Sequence, residues 1–233
     1  MKSWKNEALI IAVGLLLLGV MVRSGIVEFK NRERIVTVKG LAEMEVPANK
    51  VTWPLVHKEI SNDLFSIYSN TEKKNRAIVD FLLENGIAKE EITIEPPQIV
   101  DIKADRYGNQ DVDFRYNSTS VITVTSRNVD KVRELMSEQT ELLKKGIALA
   151  GGDYQYRVSY EFTGLNEIKP GMIEEATKNA REAAVKFAKD SDSRLGKIKS
   201  ASQGQFTIYD RDANTPYIKN VRVVTTITYY LKN

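Results

Sequence analysis

The sequence predicts an α+β fold, a largely antiparallel sheet with long helices packed on it, preceded by an N-terminal transmembrane helix. Three observations predict it. An uncharged apolar run opens the chain, stretches of alternating apolar and polar residues come in neighbouring pairs, and long stretches of helical apolar period separate those pairs. The predicted order after the apolar run is ββαββαβαββ. Most of the 233 residues follow that run, which is enough chain to bury a core without cross-links.

The apolar run is the first element. Residues 8–22 carry no charge, Glu7 precedes them and Arg23 follows. A spanning helix usually needs about 17–25 apolar residues, so the strict run is slightly short. Residues 24–27 extend it if Arg23 snorkels to the membrane interface. The predicted membrane anchor consists of the apolar side chains Ala8, Leu9, Ile10, Ile11, Leu15, Leu16, Leu17, Leu18, Val20, Met21 and Val22.

A cleavable signal peptide is the alternative for this run. Signal cleavage requires small residues one and three positions before the cut. The stretch "VMVRSGIVEF" has no such pattern, and Arg23 lies where the small residues should be. We therefore predict an uncleaved anchor and connector in residues 1–30, followed by one large domain in residues 31–233.

Basic residues flank the run and bear on its orientation. Lys2 and Lys5 precede it, and a larger set follows it: Arg23, Lys30, Arg32 and Arg34. The positive-inside rule thus weakly favours a cytoplasmic domain, although large C-terminal domains translocate despite such charges. The charges alone leave the orientation open.

Two strands and a helix open the large domain. In "VTVKGLAEMEV" (36–46) the residues alternate between an apolar and a polar face, and a turn at Pro47 leads to a return strand from Val51. Pro54 removes one ladder donor, which predicts an edge strand or a bulge. Residues 61–86 predict a helix that Ser61 or Asn62 caps and Gly86 ends. Its predicted inward stripe is Leu64, Ile67, Tyr68, Thr71, Ile78, Val79 and Leu82.

Strands and helices then alternate to the C-terminus. Strands are predicted at 91–103 and 114–126, with the exposed loop "DRYGNQDVD" between them, then a helix at 129–145 that Gly146 ends. The clearest alternation, "YQYRVSYEF" (154–162), predicts a strand. Residues 171–196 predict a helix whose small residues allow close approach to a sheet: Ala176, Ala180, Ala183 and Ala184. The last predicted strands are 197–209 and 221–232.

Little in the sequence points to catalysis. The absence of cysteine excludes disulfides, thiolate nucleophiles and Cys-ligated metals. His57 is the one histidine, and strict alternation places it on the buried face of its strand, where we interpret it as structural. Hydrolase, zinc-protease and phosphate-loop motifs do not occur. We predict no catalytic residue and no cofactor, and hence a protein that is not an enzyme.

One acidic stretch invites comparison with a calcium loop. "DRDANTPYIKNV" begins with Asp210, Asp212 and Asn214 at the first, third and fifth positions. Thr215 stands where the loop requires glycine and Val221 where it requires glutamate. We therefore predict a solvated turn and no metal ligands.

Charge and aromatic content bear on partners. The 34 basic residues are nearly balanced by 31 acidic ones and alternate with them, so we expect no nucleic-acid partner.

Tyr154, Tyr156 and Tyr160 are candidate interface aromatics, because tyrosine is enriched at protein interfaces. Core packing beneath the helices is the other interpretation of these side chains.

Several stretches, spread over residues 34–232, resemble the SIMPL domain family of bacterial envelope proteins. The stretches that carry the resemblance are "VTVKGLAEMEVPANKV", "AIVDFLLENGIAKEEITI", "FRYNSTSVITVTSRNVDKVRELM", "EEATKNAREAAVKFAKDSDSRLGKIKSASQG" and "VRVVTTITYYL". The resemblance implies an exported domain of unknown function, often linked to oxidative-stress defence, whose members form large ring-like homo-oligomers. It supplies no catalytic residues. It also favours a periplasmic domain, against the charge count.

These observations lead to two hypotheses. The first is an inner-membrane protein whose periplasmic domains self-associate into a structural or stress-protective assembly, with itself and the lipid bilayer as partners. The alternative is a periplasmic binding or chaperone-like module that uses an aromatic surface.

Overall fold

The computed structural model describes residues 3–31, 34–105, 113–151 and 154–232, and it confirms an α+β fold with antiparallel sheets. The predicted exposed loop at 105–113 lies mostly outside the described residues. In chain order the elements are α1 (Ser3–Asn31), β1 (Ile35–Pro47), β2 (Lys50–Ser61), α2 (Leu64–Glu84), β3 (Ile92–Ile94), β4 (Gln98–Asp101), α3 (Ile102–Asp105), β5 (Tyr116–Ser126), α4 (Val129–Ser137), α5 (Thr140–Lys144), β6 (Ser159–Glu161), α6 (Leu165–Asp190), β7 (Arg194–Gln203), β8 (Thr207–Asp210) and β9 (Ile218–Lys232).

The chain forms two compact units that are each discontinuous in sequence. Unit 1 comprises Met1–Met44, Asn166–Ile208 and Asn220–Asn233, and unit 2 comprises Glu45–Leu165 and Tyr209–Lys219. The strands form two sheets, one with the order β1-β9-β7, to which β8 adds by pairing with β9, and one with the order β3-β5-β2-β6, to which β4 adds by pairing with β5.

Unit 1 is built on the long helix α6. Its buried face repeats every four residues: Met172, Ala176, Ala180, Ala184 and Ala188. The last three alanines pack in one cluster with Val36 of β1 and with Ile227, Tyr229 and Leu231 of β9. Ala183, predicted to face inward, is exposed, because the four-residue repeat runs on to Ala188 instead. The helix also begins before the predicted Gly171 and contains Pro170 in its second turn.

Gly40 of β1 marks the closest contact in unit 1. A Cβ added at Gly40 would lie 1.8 Å from the carbonyl oxygen of Ala176 and 2.4 Å from the amide nitrogen of Ala180. Only glycine leaves room for the α6 backbone at this point. The predicted close approach of the alanine-rich helix to a strand is therefore confirmed.

Unit 2 has a larger-residue core between its sheet and its helices. β2 and β5 pair in an unbroken antiparallel register from Val51 opposite Ser126 to Ser61 opposite Tyr116. The buried cluster includes Val51, Trp53, Leu55, Ile78, Phe81, Leu82, Ile122, Val124, Val132, Leu135, Leu142 and Ile147.

Pro54 lies in a central strand, yet at a place where that strand has an open side. β6 pairs with β2 only at residues 50–52, and a single bridge joins His57 to Leu149. Between these two points β2 has no strand neighbour on that side among the described residues, so the missing N–H of Pro54 is tolerated. The predicted edge position is correct only locally, and the pairing with β5 shows no bulge.

Helix α2 largely follows its predicted pattern. Asp63 caps it by accepting a hydrogen bond from the Ser66 amide, rather than Ser61 or Asn62, and Gly86 follows it with φ of +82° as predicted. Its buried face is Ile67, Thr71, Asn75, Ile78, Phe81 and Leu82. Leu64 and Tyr68, predicted to face inward, are exposed, and Val79 is half-buried.

Four predicted elements are interrupted or shortened, the first being the predicted strand 197–209, which divides into β7 and β8 at residues 204–206. Pro96 and Pro97 divide the predicted strand 91–103 into β3 and β4, because proline cannot donate to the ladder. The predicted helix 129–145 divides into α4 and α5 after Ser137, whose hydroxyl donates to the Glu134 carbonyl at 2.5 Å. The tyrosine-rich strand 154–162 shortens to β6, which pairs with residues 50–52 of β2, and a 3₁₀ turn (Tyr154–Tyr156) precedes it.

Candidate functional site

The candidate membrane anchor lies on α1, a single helix of 29 residues. Residues Asn6–Val27 within it are long and apolar enough to cross a membrane, and none of that window is buried. All the predicted anchor side chains lie on this helix and are exposed. Unlike a core helix, α1 therefore presents apolar side chains on every face.

Residues 8–22 alone are slightly short for a membrane-spanning helix, but α1 is longer than this uncharged run. The helix continues through Arg23 without a break, so the apolar window has 22 residues. At 1.5 Å per residue this window is about 33 Å long, close to the roughly 30 Å hydrocarbon core of a bilayer. Trp4, near one end of the window, is an exposed aromatic of the kind that is enriched at membrane interfaces.

The three candidate interface tyrosines do not lie on one strand face. Tyr154 is 79% exposed and lies in the 3₁₀ turn, where the guanidinium of Arg157 stacks over its ring at 4.3 Å. Tyr156 is half-buried in the same turn, and Tyr160 is half-buried on β6. The prediction from sequence placed the three tyrosines on one face because it assumed that residues 154–162 form one continuous strand.

Tyr160 belongs to an aromatic group at the margin of the unit 2 core. Its ring meets Tyr217 edge-on at a centroid distance of 6.2 Å, and the guanidinium of Arg133 lies 3.5 Å from the centroid of Tyr217. Burial raises the pKa of the Tyr160 hydroxyl, which donates to the sulfur of Met136 at 3.8 Å. These contacts make Tyr160 part of the packing of unit 2, whereas Tyr154 is exposed.

His57 lies in a buried polar cluster between β2, α2 and β5. It is 1% exposed, and its Nε2 lies 2.8 Å from Oδ1 of Asn75, which also accepts the hydroxyl of Ser120 at 2.9 Å. Because that oxygen only accepts, Nε2 carries the proton. Nδ1 is buried without a hydrogen-bond partner among the described residues.

The polar cluster continues along α2 to Thr71. The Thr71 hydroxyl donates to the Ile67 carbonyl at 2.8 Å and lies 3.2 Å from the Ser118 hydroxyl. The Ser120 hydroxyl donates its hydrogen to Asn75. Asn75 was missed from sequence, although its position four residues after Thr71 and three before Ile78 places it on the buried stripe.

The acidic stretch that resembles a calcium loop uses its carboxylates internally. Asp212 accepts from the amides of Asn214 and Thr215 at 2.8 and 2.9 Å and from the Thr215 hydroxyl. The Thr215 hydroxyl and the Asn214 amide lower the pKa of Asp212 to about 2. Asp210 pairs with the buried Lys219. This is the geometry of a closed turn.

Two surface features of unit 2 were not predicted. Phe65 is 78% exposed at the start of α2, beside the exposed Leu64 and Tyr68, and we call these three residues the α2 apolar cluster. A cleft of about 270 Å³ lies beside the open side of β2, lined by Trp53, Pro54, Val56, Gln139, Thr140, Leu143, Leu149, Ala150 and Gly151. A signal for the first was present, since three large apolar residues cluster in the first turns after the helix cap.

The sheet of unit 1 ends in two strands with an open side. β1 and β7 each pair only with β9 among the described residues. β1 carries the exposed apolar residues Ile35, Leu41 and Met44. β7 carries Arg194, Lys197 and Lys199 and has register shifts on both sides of Ile198. Bulges and lysines discourage edge pairing, so β1 is the less protected of the two edges.

Comparison with known proteins finds one family. A model of the SIMPL family, described as a protein of unknown function (DUF541), matches residues 36–229. The match begins one residue into β1 and leaves α1 outside it. No curated protein matches the chain.

Proposed function

The chain belongs to the SIMPL family, and on that premise we propose that it is an inner-membrane protein of the cell envelope with its domain in the periplasm. We further propose that its copies assemble into a ring-like homo-oligomer with a structural or stress-protective role. The observation that carries the proposal is α1, whose exposed apolar window ends at Val27, just before the family match begins at residue 36.

Protease treatment of intact spheroplasts tests the location. Digestion of the large domain from outside, with α1 retained in the membrane fraction, is the expected result. Protection of the domain would place it in the cytoplasm instead. Mature protein whose first residue lies beyond Gly25 would show that the segment is a cleaved signal and would end the anchoring proposal.

The open edge of β1, and the uncharged part of β7 beyond its register shifts (residues 200–203), support self-association. An edge strand presents unpaired backbone donors and acceptors to another chain, and two different edges on one sheet allow a head-to-tail contact that closes into a ring. A membrane tether confines the copies to one plane, which raises their effective concentration. The ring therefore needs no large apolar interface on each copy.

Cross-linking tests this contact, because the chain has no cysteine of its own. Lys39 on β1 and Ser202 on β7 are both exposed. The double variant Lys39→Cys/Ser202→Cys, treated with a short bis-maleimide in membranes, should give a ladder of multimers, whereas each single variant stops at dimers. A Lys178→Cys/Ser202→Cys variant, with the first cysteine on the exposed face of α6, is the matched control. Equal ladders from both double variants, or a strictly monomeric particle after detergent extraction, would argue against the ring.

A role without catalysis is part of the proposal. The histidine nitrogen that contacts Asn75 is committed to a hydrogen bond, and Ser120 is completely buried, so neither group meets solvent. We expect His57→Ala to lower stability. As long as it folds, the variant should still rescue every phenotype of a deletion strain that the wild-type protein rescues.

A second candidate function, the holding of unfolded protein, is favoured by the α2 apolar cluster. Three large exposed apolar side chains on adjacent turns form the kind of patch that binds other proteins. Phe65→Ser/Tyr68→Ser should then reduce suppression of aggregation of a reduced test protein, whereas Leu143→Ser, an exposed leucine on α5, should not. No effect of the double variant would remove this candidate.

A further inference from the structure

One end of the unit 1 sheet collects basic side chains. β1 starts there, β7 starts there and β9 ends there: the Leu231 amide donates to the Arg34 carbonyl at 2.8 Å, and Arg194 lies opposite Lys232. The C-terminus of α6 lies at the same end, since the Arg34 guanidinium donates to the Ser193 hydroxyl at 2.9 Å. We call this the basic end, formed by Arg34, Lys189, Arg194, Lys197 and Lys232.

Four of the five basic side chains of this end are exposed and carry free charge toward solvent. Lys189, Arg194, Lys197 and Lys232 are exposed, and none of them forms an ion pair within the described part of the chain. Among the described residues, the acidic side chains next to these basic ones in sequence are Asp190 and Asp192, at the end of α6 and in the turn after it. Basic side chains therefore outnumber acidic ones, in a protein whose charges are otherwise nearly balanced.

The chain itself holds this end close to the membrane. The apolar window of α1 ends at Val27 and the helix at Asn31, so the helix rises about 6 Å beyond the window, into the headgroup layer. Arg34 follows three residues later, and three Cα–Cα steps span at most about 11 Å. Arg34, where the basic end begins, therefore lies within about one Debye length of the lipid headgroups, so their surface charge still acts on it.

We propose that the basic end binds the anionic phospholipid headgroups of the leaflet from which α1 emerges. The inference rests on the proposed anchoring by α1, but it holds for either side of the membrane. Each lysine or arginine near an anionic surface raises the ratio of docked to undocked protein about fivefold. The sheet of unit 1 then stands with its basic end against the bilayer, which presents the open edges of β1 and β7 sideways to neighbouring copies.

The test uses the full chain in nanodiscs of phosphatidylcholine, with or without one third phosphatidylglycerol. A fluorophore on a single introduced cysteine, Ser200→Cys on exposed β7, reports proximity to lipids that carry a headgroup nitroxide. Quenching should be stronger in the anionic discs. It should fall in 0.5 M salt, where the Debye length is only roughly 4 Å.

A pair of matched double variants isolates the basic end. Arg194→Gln/Lys232→Gln should reduce the ratio of docked to undocked protein about 25-fold. Lys169→Gln/Lys178→Gln removes the same charge from exposed positions on α6, at least about 18 Å along the helix from Asp190, and should leave quenching unchanged. Circular dichroism confirms that both variants fold.

The outcomes separate the two proposals. Equal quenching in both lipid compositions, or equal losses in both double variants, would overturn the contact with anionic lipid while leaving the anchoring intact. Failure of the wild-type chain to enter nanodiscs would overturn the anchoring and, with it, the docking.

Discussion

The two units solve the same packing problem with side chains of opposite size. In unit 1, the helix α6 meets its sheet through alanines and reaches the backbone of Gly40. In unit 2, α2 meets its sheet through Ile67, Ile78, Phe81 and Leu82. Both are long helices on antiparallel strands, yet one is held by backbone proximity and the other by interdigitated large side chains.

Because the contacts differ in this way, we expect the stability of the two units to respond oppositely when side chains are enlarged or truncated. A contact between backbones has no room for an added atom, so unit 1 should be damaged by enlargement. A core of large side chains loses stability when atoms are removed, because a cavity remains. Unit 2 also buries the polar cluster around Asn75, whose hydrogen bonds must all be kept.

The largest effect should come from Gly40→Ala. The new methyl group would overlap backbone atoms of Ala176 and Ala180, which cannot move without shifting α6. We expect a loss of about 4 kcal/mol or more of unfolding free energy, measured by urea denaturation with circular dichroism. Gly171→Ala on α6, which meets nothing within 4 Å, is the control and should be neutral or slightly stabilising. Similar results for the two variants would refute the close contact.

Next in size is Leu82→Ala in unit 2. Leu82 is completely buried in the core cluster, so truncation should cost about 3 kcal/mol through lost burial and a cavity. The adjacent Leu83 is exposed, and Leu83→Ala should cost less than about 1 kcal/mol in the same denaturation experiment. If both leucines cost the same, the assignment of the buried face of α2 is wrong.

Asn75→Ala should cost about 2–3 kcal/mol, because it leaves the Nε2–H of His57 and the hydroxyl of Ser120 buried without an acceptor. The double variant Asn75→Ala/Ser120→Ala should cost less than the sum of the single variants, since the second change removes one orphaned donor. Strict additivity in a denaturation cycle would show that the hydroxyl and the amide do not interact.

The smallest effect concerns the surface turn of Asp212. Its folded pKa, about 2, lies below the ordinary value of 3.8, so the ionised form contributes stability that is complete above pH 3.8 and is lost as the pH falls through 2. Asp212→Asn should therefore lower the melting temperature slightly at pH 6, and the difference should vanish toward pH 2. A difference that is constant from pH 6 to pH 2 would contradict this role of the carboxylate.

Local patterns predicted most elements and only part of the candidate site. The apolar window of α1, the alternation in β1, and the glycines after α2 and α5 were all identifiable, because each depends on neighbours in sequence. Tyr154, Tyr156 and Tyr160 show the limit. Their alternation is regular, but a strand forms only where its backbone pairs with a partner strand, and this segment pairs with β2 only at Ser159–Glu161.

The order of residues alone established an apolar helix, an α+β domain and the family to which the domain belongs, since composition and period act over short stretches. Only the folded chain decided that Asn75 joins His57 and Ser120, that Phe65 is exposed, and that Arg34, Arg194 and Lys232 meet at one end of a sheet. These residues are far apart in sequence. Their proximity comes from strand register and helix packing, which depend on the burial of the whole core.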